Sequence, residues 1–307
     1  MKSFRNKHAK LAVVVIGYNS KIFLKTCFDS IKKQTIARHL DIIYIDNISH
    51  DDSVQFVYEK YPHVRMFQNH FNFGYAGAAN QGIDLSAAPF VNIINPDIIL
   101  EPDYFENILK AMSRSEKIAA ASGKLLRYDF EKGEKTNIID TTGLVFHRST
   151  RVTDRGQGEQ DEKQYDQSKE VWGVSGACPI YRRTALNEIK KSGEALDSSF
   201  FMYKEDVDLA WRLNTAGYRA IYVPKAVAYH GRGTGAVKRS GLFGLLRGRN
   251  QLSKFQKYYS FHNHQKMLRK NLTIRDFLSN PFAITTYEVV SILNAAKEGV
   301  LFGRMNL

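Results

Sequence analysis

Leu11-Ala12-Val13-Val14-Val15-Ile16-Gly17-Tyr18-Asn19 decides the fold class. Its first six residues are apolar and mostly β-branched, as expected of a strand buried on both faces. Lys2, Arg5, Lys7 and Lys10 precede it, so the segment begins like an export signal. The run stops at Gly17-Tyr18-Asn19 and no small-residue cleavage site follows. A buried first strand in a cytoplasmic protein is therefore expected.

Working outward, strand and helix signals alternate. Ile22, Phe23, Thr26, Cys27, Ser30 and Ile31 have helical spacing and predict a helix over 20–34. A second strand at 41–45 ends at Asp46-Asn47, and a helix over 51–61 stops before Pro62. A short strand at 64–68 follows. Next come the loop Asn72-Phe73-Gly74, a helix over 76–85, and a strand at 90–94 closed by Asn95-Pro96-Asp97. This alternation predicts an α/β chain with a mostly parallel sheet and helices on both faces. Ligands bind such sheets at the carboxyl ends of strands, where Asn19, Asp46 and Asp97 all fall.

Beyond residue 100 the pattern changes. Residues 128–170 are polar and carry Gly133, Gly143, Gly156 and Gly158, which predicts short strands and loops. Helices are expected near 182–190 and over 204–214, the second ending at Gly217. Residues 221–223 and 227–229 are strand-like. From about 238 the composition shifts to Lys and Arg with Phe, Leu and Tyr. A boundary placed there separates a catalytic body, 1–237, from a basic helical C-terminal region, 238–307.

The chain has 307 residues, 43% hydrophobic and 24% charged, which excludes disordered, collagen-like and disulfide-scaffold classes. No apolar run reaches the roughly 18 residues of a membrane span. Cys27 and Cys178 are the only cysteines. The net charge of +13 lies at the ends, since residues 238–307 hold twelve Lys/Arg against Asp276, Glu288 and Glu298. Basic ends on a neutral body point to an anionic partner surface, or to a solvated face that aids solubility. In the C-terminal region Arg247, Arg249, Lys254, Lys257, Lys266, Arg269 and Lys270 alternate with Leu242, Phe243, Leu245, Leu246, Phe255, Tyr258, Tyr259 and Phe261. That mixture predicts helices that dock on an anionic membrane, or else pack on the body or on a second subunit as a homo-oligomer.

Three constellations carry candidate chemistry. The strand-end acids Asp46 and Asp97 can accept hydrogen bonds from a nucleoside or hold a divalent cation; each alone also serves as a cap. Small residues in Asn72-Phe73-Gly74-Tyr75-Ala76-Gly77-Ala78-Ala79-Asn80 let backbone amides approach a phosphate, although close helix packing explains them equally well. Phe200-Phe201-Met202-Tyr203-Lys204-Glu205-Asp206-Val207-Asp208 crowds three acids at one helix start behind an aromatic run. A general base, a metal site, or capping with an Asp208–Arg212 ion pair would each account for that. His230, ending a strand, can ligate a metal or be structural.

In this order and spacing the motifs resemble the inverting family 2 glycosyltransferases of the GT-A fold, closest to the bacterial rhamnosyltransferase-like branch. The resemblance covers roughly residues 10–235. It runs through Val-Val-Ile-Gly-Tyr-Asn, Ile-Asp-Asn-Ile-Ser-His-Asp, Asn-Phe-Gly-Tyr-Ala-Gly-Ala-Ala-Asn, Asn-Pro-Asp, Val-Ser-Gly-Ala-Cys, Phe-Phe-Met-Tyr-Lys-Glu-Asp and Val-Ala-Tyr-His.

The resemblance implies roles. Tyr18, Asn19, Asp46 and Asp51 would form the nucleoside pocket, and Asn72, Gly74 and Asn80 would line the diphosphate and sugar. Asn95-Pro96-Asp97 takes the place of the metal-binding Asp-X-Asp motif, with Asn95 for the first acid. Asp97 and His230 would then hold Mg²⁺ or Mn²⁺. Asp206 would be the base, with Glu205 next in line, and Trp172, Gly176 and Ala177 would shape the acceptor side. The implied donor is a nucleoside diphosphate sugar, dTDP-rhamnose first and a UDP-sugar second, and the acceptor a glycan or a lipid-linked sugar.

Two rivals remain. A sugar nucleotidyltransferase normally shows an early glycine-rich basic loop, which Ile16-Gly17-Tyr18-Asn19-Ser20-Lys21 does not match. A non-enzymatic polyanion-binding protein would suit the basic tail, but no zinc, RNP-like or helix-turn-helix signature is present, so no nucleic-acid partner is expected.

Overall fold

The computed structural model describes residues 6, 8–231 and 252–302. Lys2, Arg5, Lys7, Arg247, Arg249, Leu242, Phe243, Leu245 and Leu246 of the basic ends lie outside the described residues.

The first half alternates β1 (Leu11–Gly17), α1 (Lys21–Lys32), β2 (Leu40–Asp46), α2 (Ser53–Lys60), β3 (Arg65–Gln68), α3 (Gly74–Leu85) and β4 (Phe90–Ile94). The four strands pair in parallel in the order β3-β2-β1-β4. Chain order reverses between β1 and β4, the place where such sheets open a crevice at their carboxyl ends. All seven residues of β1 are buried. Leu11, Val13 and Val15 face one layer with α1, α2 and α4 (Tyr104–Met112), whereas Ala12, Val14 and Ile16 face the other with α3, α5 (Arg183–Ile189) and α6 (Glu205–Thr215). The unbroken apolar run thus serves two cores.

Beyond β4 the sheet turns mixed. β11 (Ile180–Arg182) enters antiparallel between β4 and β6 (Ile118–Asp129), and β12 (Arg219–His230) lies parallel to β6. The two strand-like stretches expected at 221–223 and 227–229 are one strand with a register shift between Val223 and Val227, where Pro224 lacks a donor. β5 (Ile98–Leu100) and β10 (Lys169–Val171) pair with β12, and β7 (Glu134–Thr141) pairs with β6. β8 (Leu144–Phe146) and β9 (Val152–Asp154) form a separate hairpin. These are the short strands expected in the polar middle.

The described part of the C-terminal region, 252–302, is helical: α7 (Lys254–Asn271), α8 (Ile274–Ser279) and α9 (Pro281–Lys297). Capping boxes at Ser253/Gln256 and Thr273/Asp276 start α7 and α8. Met267 and Leu268 of α7 pack with Phe200, Val207 and Trp211. Tyr259 stacks on Phe201 with centroids 5.5 Å apart, Phe255 meets the same ring edge-on, and Phe261 is buried against Ala295 and Val300. The aromatics of α7 are therefore turned toward protein.

Candidate active site

The crevice is built from loops that follow β1, β2 and β4. Tyr18 is half exposed. Asn19 takes a positive φ of 48°, its N–H donates to Ser49 Oγ at 2.9 Å and its Oδ1 accepts from the His50 N–H at 2.8 Å. Asp46 is fully buried, accepting from the Tyr44 hydroxyl at 3.1 Å and the Ser49 N–H at 2.9 Å. It shapes the loop wall from behind. Asp51 accepts the Lys21 N–H at 2.8 Å and the Ser53 N–H, so it ties the starts of α1 and α2 together. Hydrogen bonding outweighs its desolvation and holds its carboxyl below the usual range.

Across the crevice, Asn72 Oδ1 accepts from the Gly74 N–H at 2.8 Å and Asn47 donates to the Gly74 carbonyl at 3.0 Å. Gly74 has φ of 70°, and a Cβ there would strike the carbonyl and ring of Phe201. Only glycine fits. Asn80 donates to the Leu196 carbonyl at 2.7 Å and accepts from Ala195 and Leu196, pinning the bend that precedes the 3-10 turn at Ser198–Phe200.

At the end of β4, Asp97 faces His230 of β12, with Nε2 3.5 Å from Oδ1. The other ring nitrogen, Nδ1, lies 2.8 Å from Oδ2 of Asp140 on β7, which is fully buried. Burial opposes the imidazolium, but the charges of Asp97 and Asp140 outweigh it and push the His230 pKa up to about 9. Among the described residues no group of three or more His, Cys, Asp or Glu could by itself hold a metal ion. Asp97 and His230 nevertheless lie at one point, and once a cation displaces the Nε2 proton of His230 they supply an oxygen–nitrogen donor pair, with Nδ1 held by Asp140. To that extent the residues fit a divalent ion.

The residues expected on the acceptor side centre on α6. Lys204 is its left-handed N-cap with φ of 72°, and Glu205 and Asp206 occupy the first turn. Asp206 Oδ2 accepts the Gly176 N–H at 2.9 Å and Oδ1 accepts the Val207 N–H at 2.8 Å. Burial raises the Asp206 carboxyl above the ordinary range, although the Gly176 amide and Lys204 oppose the rise. Burial and the adjacent Asp206 push Glu205 up to about 8, and Glu205 Oε2 has no hydrogen-bond partner among the described residues. One residue beyond Gly176, the Ala177 carbonyl accepts the Asn95 N–H at 3.0 Å. The Gly176-Ala177 segment thus touches both Asp206 and the Asn95-Pro96-Asp97 loop. Trp172 stacks on Phe146 at 4.8 Å and meets Trp211 edge-on, forming an aromatic wall beside α6.

Several residues of this arrangement escape sequence reasoning: Asp140, Tyr75, Phe146, Trp211 and Asn263. The Tyr75 hydroxyl donates to the Gly176 carbonyl. Asn263 of α7 is buried and donates to the carbonyls of Phe200, Met202 and Tyr203 at 2.8–2.9 Å. Tyr75 lies inside the 72–80 motif, but nothing in that motif points to its hydroxyl; the other four belong to no quoted motif, and a single aromatic or polar residue inside a helix or strand gives no signal of its own.

With this geometry in view, comparison with known proteins is informative. The profile of Glycosyl transferase family 2 matches residues 12–190, more than half of the chain. The chain is similar to the N-acetylglucosaminyl-diphospho-decaprenol L-rhamnosyltransferase of Mycobacterium tuberculosis, with 27% identity over 249 residues, covering 72% of this chain and 75% of the relative. Two solved structures share the fold. GalNAc-T7, crystallised with UDP, GalNAc and Mn²⁺, superposes with a TM-score of 0.61 at 13% identity, over 85% of this chain and 51% of that one. The mannosyltransferase PcManGT from Pyrobaculum calidifontis, in complex with GDP-Man and Mn²⁺, gives 0.54 at 17%, over 98% and 77%. The architecture is accordingly the GT-A fold, with C-terminal helices added. A parallel crevice-forming half-sheet, the ordered loop motifs around it and a profile match across both place the chain in glycosyl transferase family 2.

Proposed function

We propose that the protein is an inverting glycosyltransferase of cell-surface polysaccharide synthesis, moving a hexose from a nucleoside diphosphate sugar to a saccharide or lipid-linked acceptor. Residues 1–237 are read as the catalytic domain and 238–307 as its helical C-terminal region. The observation that carries the reading is the Gly176-Ala177 segment, which joins Asp206 to the Asn95-Pro96-Asp97 loop through one hydrogen bond each. An acceptor base and a diphosphate-side loop held by neighbouring residues suit a single displacement.

In that displacement Asp206 takes the proton of the acceptor hydroxyl. The oxygen forms a bond to the anomeric carbon as the bond from that carbon to the diphosphate breaks on the opposite face, so configuration inverts. Two bonds from backbone amides fix the Asp206 carboxylate. Its raised pKa makes it a better base than a solvated carboxylate. Burial and the adjacent Asp206 raise Glu205 to about 8, which favours its protonated form and leaves the ionised role to Asp206. Asp97 and His230 would hold Mg²⁺ or Mn²⁺, which when bound offsets charge on the departing diphosphate. Tyr18, Asn19, Asp46 and Asp51 would frame the nucleoside, and Asn72, Gly74 and Asn80 the diphosphate and sugar. Trp172, Gly176 and Ala177 would receive the acceptor.

Likeness to the mycobacterial relative makes dTDP-rhamnose the first donor to try and a UDP-hexose the second, with a polyprenyl-diphosphate-linked N-acetylglucosamine as acceptor. Such an acceptor would place the protein on the inner face of the cell membrane as a peripheral protein. No described helix is long and apolar enough to cross a membrane. Incubation with each donor and Mg²⁺ or Mn²⁺, with and without acceptor, should release nucleoside diphosphate. Pyrophosphate-dependent formation of a nucleoside triphosphate would favour a nucleotidyltransferase instead. Salt-sensitive polyanion binding with no nucleotide release would favour a non-enzymatic role.

A further inference from the structure

We infer that the outward apolar face of α8 and α9 is the surface by which the protein lies on an anionic membrane. This attachment face deepens the peripheral placement proposed above and rests on it for the choice of lipid. It differs from the aromatics of α7, which are turned toward protein.

α9 carries only Glu288 and Lys297 as charges, and Glu288 is turned inward. It accepts from Gln265 at 2.6 Å and lies 2.7 Å from His264 Nε2, both on α7. On its opposite side Phe282, Val289, Val290 and Leu293 recur at helical spacing and are 88%, 50%, 49% and 64% exposed. Ile274 and Leu278 of α8 extend the face at 81% and 66%. Single exposed apolar residues are ordinary, but a contiguous stripe marks an interaction site. No described residue covers it. The stripe is rigidly presented, because Ile284 and Ala295 on the inner side are buried and His262 lies 2.9 Å from the Val300 carbonyl oxygen.

Charge selects the occupant. Residues 238–307 carry a surplus of nine positive charges; Arg275 and Lys297 are exposed on these same helices, where Asp276 is the one exposed acid, and Arg269 is exposed in the last turn of α7. A second copy of the chain would bring like charge against like. An anionic lipid surface satisfies the apolar stripe and the basic residues together. A helix of this length, about 25 Å, lies flat in the headgroup boundary.

The test uses the full-length chain and flotation with phosphatidylcholine vesicles, with and without phosphatidylglycerol, at low and high salt. The intact protein should float with anionic vesicles, less with neutral ones, and less at high salt. Replacing three exposed side chains together, Phe282→Ser, Val290→Ser and Leu293→Ser, should weaken that binding at least about tenfold without lowering Tm. Phe282→Trp should show a blue-shifted emission on anionic vesicles, independently of the triple variant. If the triple variant binds undiminished, the stripe is wrong and the peripheral placement stands on charge alone. An intact protein that ignores anionic vesicles overturns both. A dimer in solution that the triple variant splits would make a second copy the occupant.

Discussion

Glu205 and Asp206 are consecutive acids at the start of one helix, where the dipole favours negative charge, yet both have raised pKa values because burial wins. The consequence for Glu205 is a stability that depends on pH. Its folded-state pKa of about 8 exceeds the ordinary 4.5, so the folded state holds a proton that the unfolded chain has released. The contribution of the neutral form is fully present below about 4.5 and is lost as pH rises through 8. Glu205→Gln should therefore melt at a progressively higher temperature than the parent from pH 5 to pH 8, the gap being smallest near pH 4.5. A gap independent of pH would contradict the assignment. Asp97 makes a separate prediction. Asp97→Ala should weaken binding of a nucleoside diphosphate in the presence of Mn²⁺ much more than in its absence, measured by calorimetry. Equal loss under both conditions would remove Asp97 from metal binding. At this scale the sequence was informative about acids on loops, because loop acids at strand ends are few. It was silent about Asp140, since one aspartate in a polar strand looks like any solvated residue until its partner His230 is located 2.8 Å away.

The element that joins the two sides of the site is the loop 200–204. Phe201, Tyr203 and Lys204 all have positive φ, between 60° and 72°, a conformation that costs on the order of 1–3 kcal/mol per residue. Three contacts hold it. The Ala76 N–H donates to the Phe201 carbonyl at 3.2 Å, Gly74 leaves room for the Phe201 ring, and Asn263 shares its two N–H donors among three loop carbonyls. The C-terminal helix α7 thereby positions the residues that lead into Asp206. Asn263→Ala should cost about 1–3 kcal/mol of stability by leaving buried carbonyls without donors. It should also lower kcat by more than it weakens donor binding, and Asn263→Ser should recover part of that loss. A variant with reduced Tm but unchanged kcat would limit Asn263 to a structural part. The alternation of strand and helix over residues 11–94 was legible, because β-branched runs and helical spacing agree there. The central strand β6 was not. Its start, Ala119-Ala120-Ala121-Ser122-Gly123, has weak strand propensity and owes its conformation to β11 and β12 on either side. The path of α7 across the loop was equally hidden, since the aromatics of a basic helix read the same whether they meet lipid or protein.

For the molecule as a whole, topology explains why the site lies where it does. The reversal of strand order between β1 and β4 opens the crevice, the antiparallel β11 delivers Gly176 and Ala177 to its edge, and β12 returns His230 to Asp97. The parallel half follows from local sequence, whereas the mixed half depends on pairings between residues far apart in the chain. Basic charge gathered at the ends leaves residues 11–237 neutral, which under the proposed function would separate the chemistry of transfer from attachment to a surface. The central claim is that Asp206 is the base of an inverting sugar transfer. Turnover of Asp206→Asn, followed as nucleoside diphosphate released in the presence of donor and acceptor, tests it most directly when paired with calorimetry of donor binding. Turnover should fall by roughly 10²-fold or more with donor affinity unchanged; near-normal turnover would contradict the account.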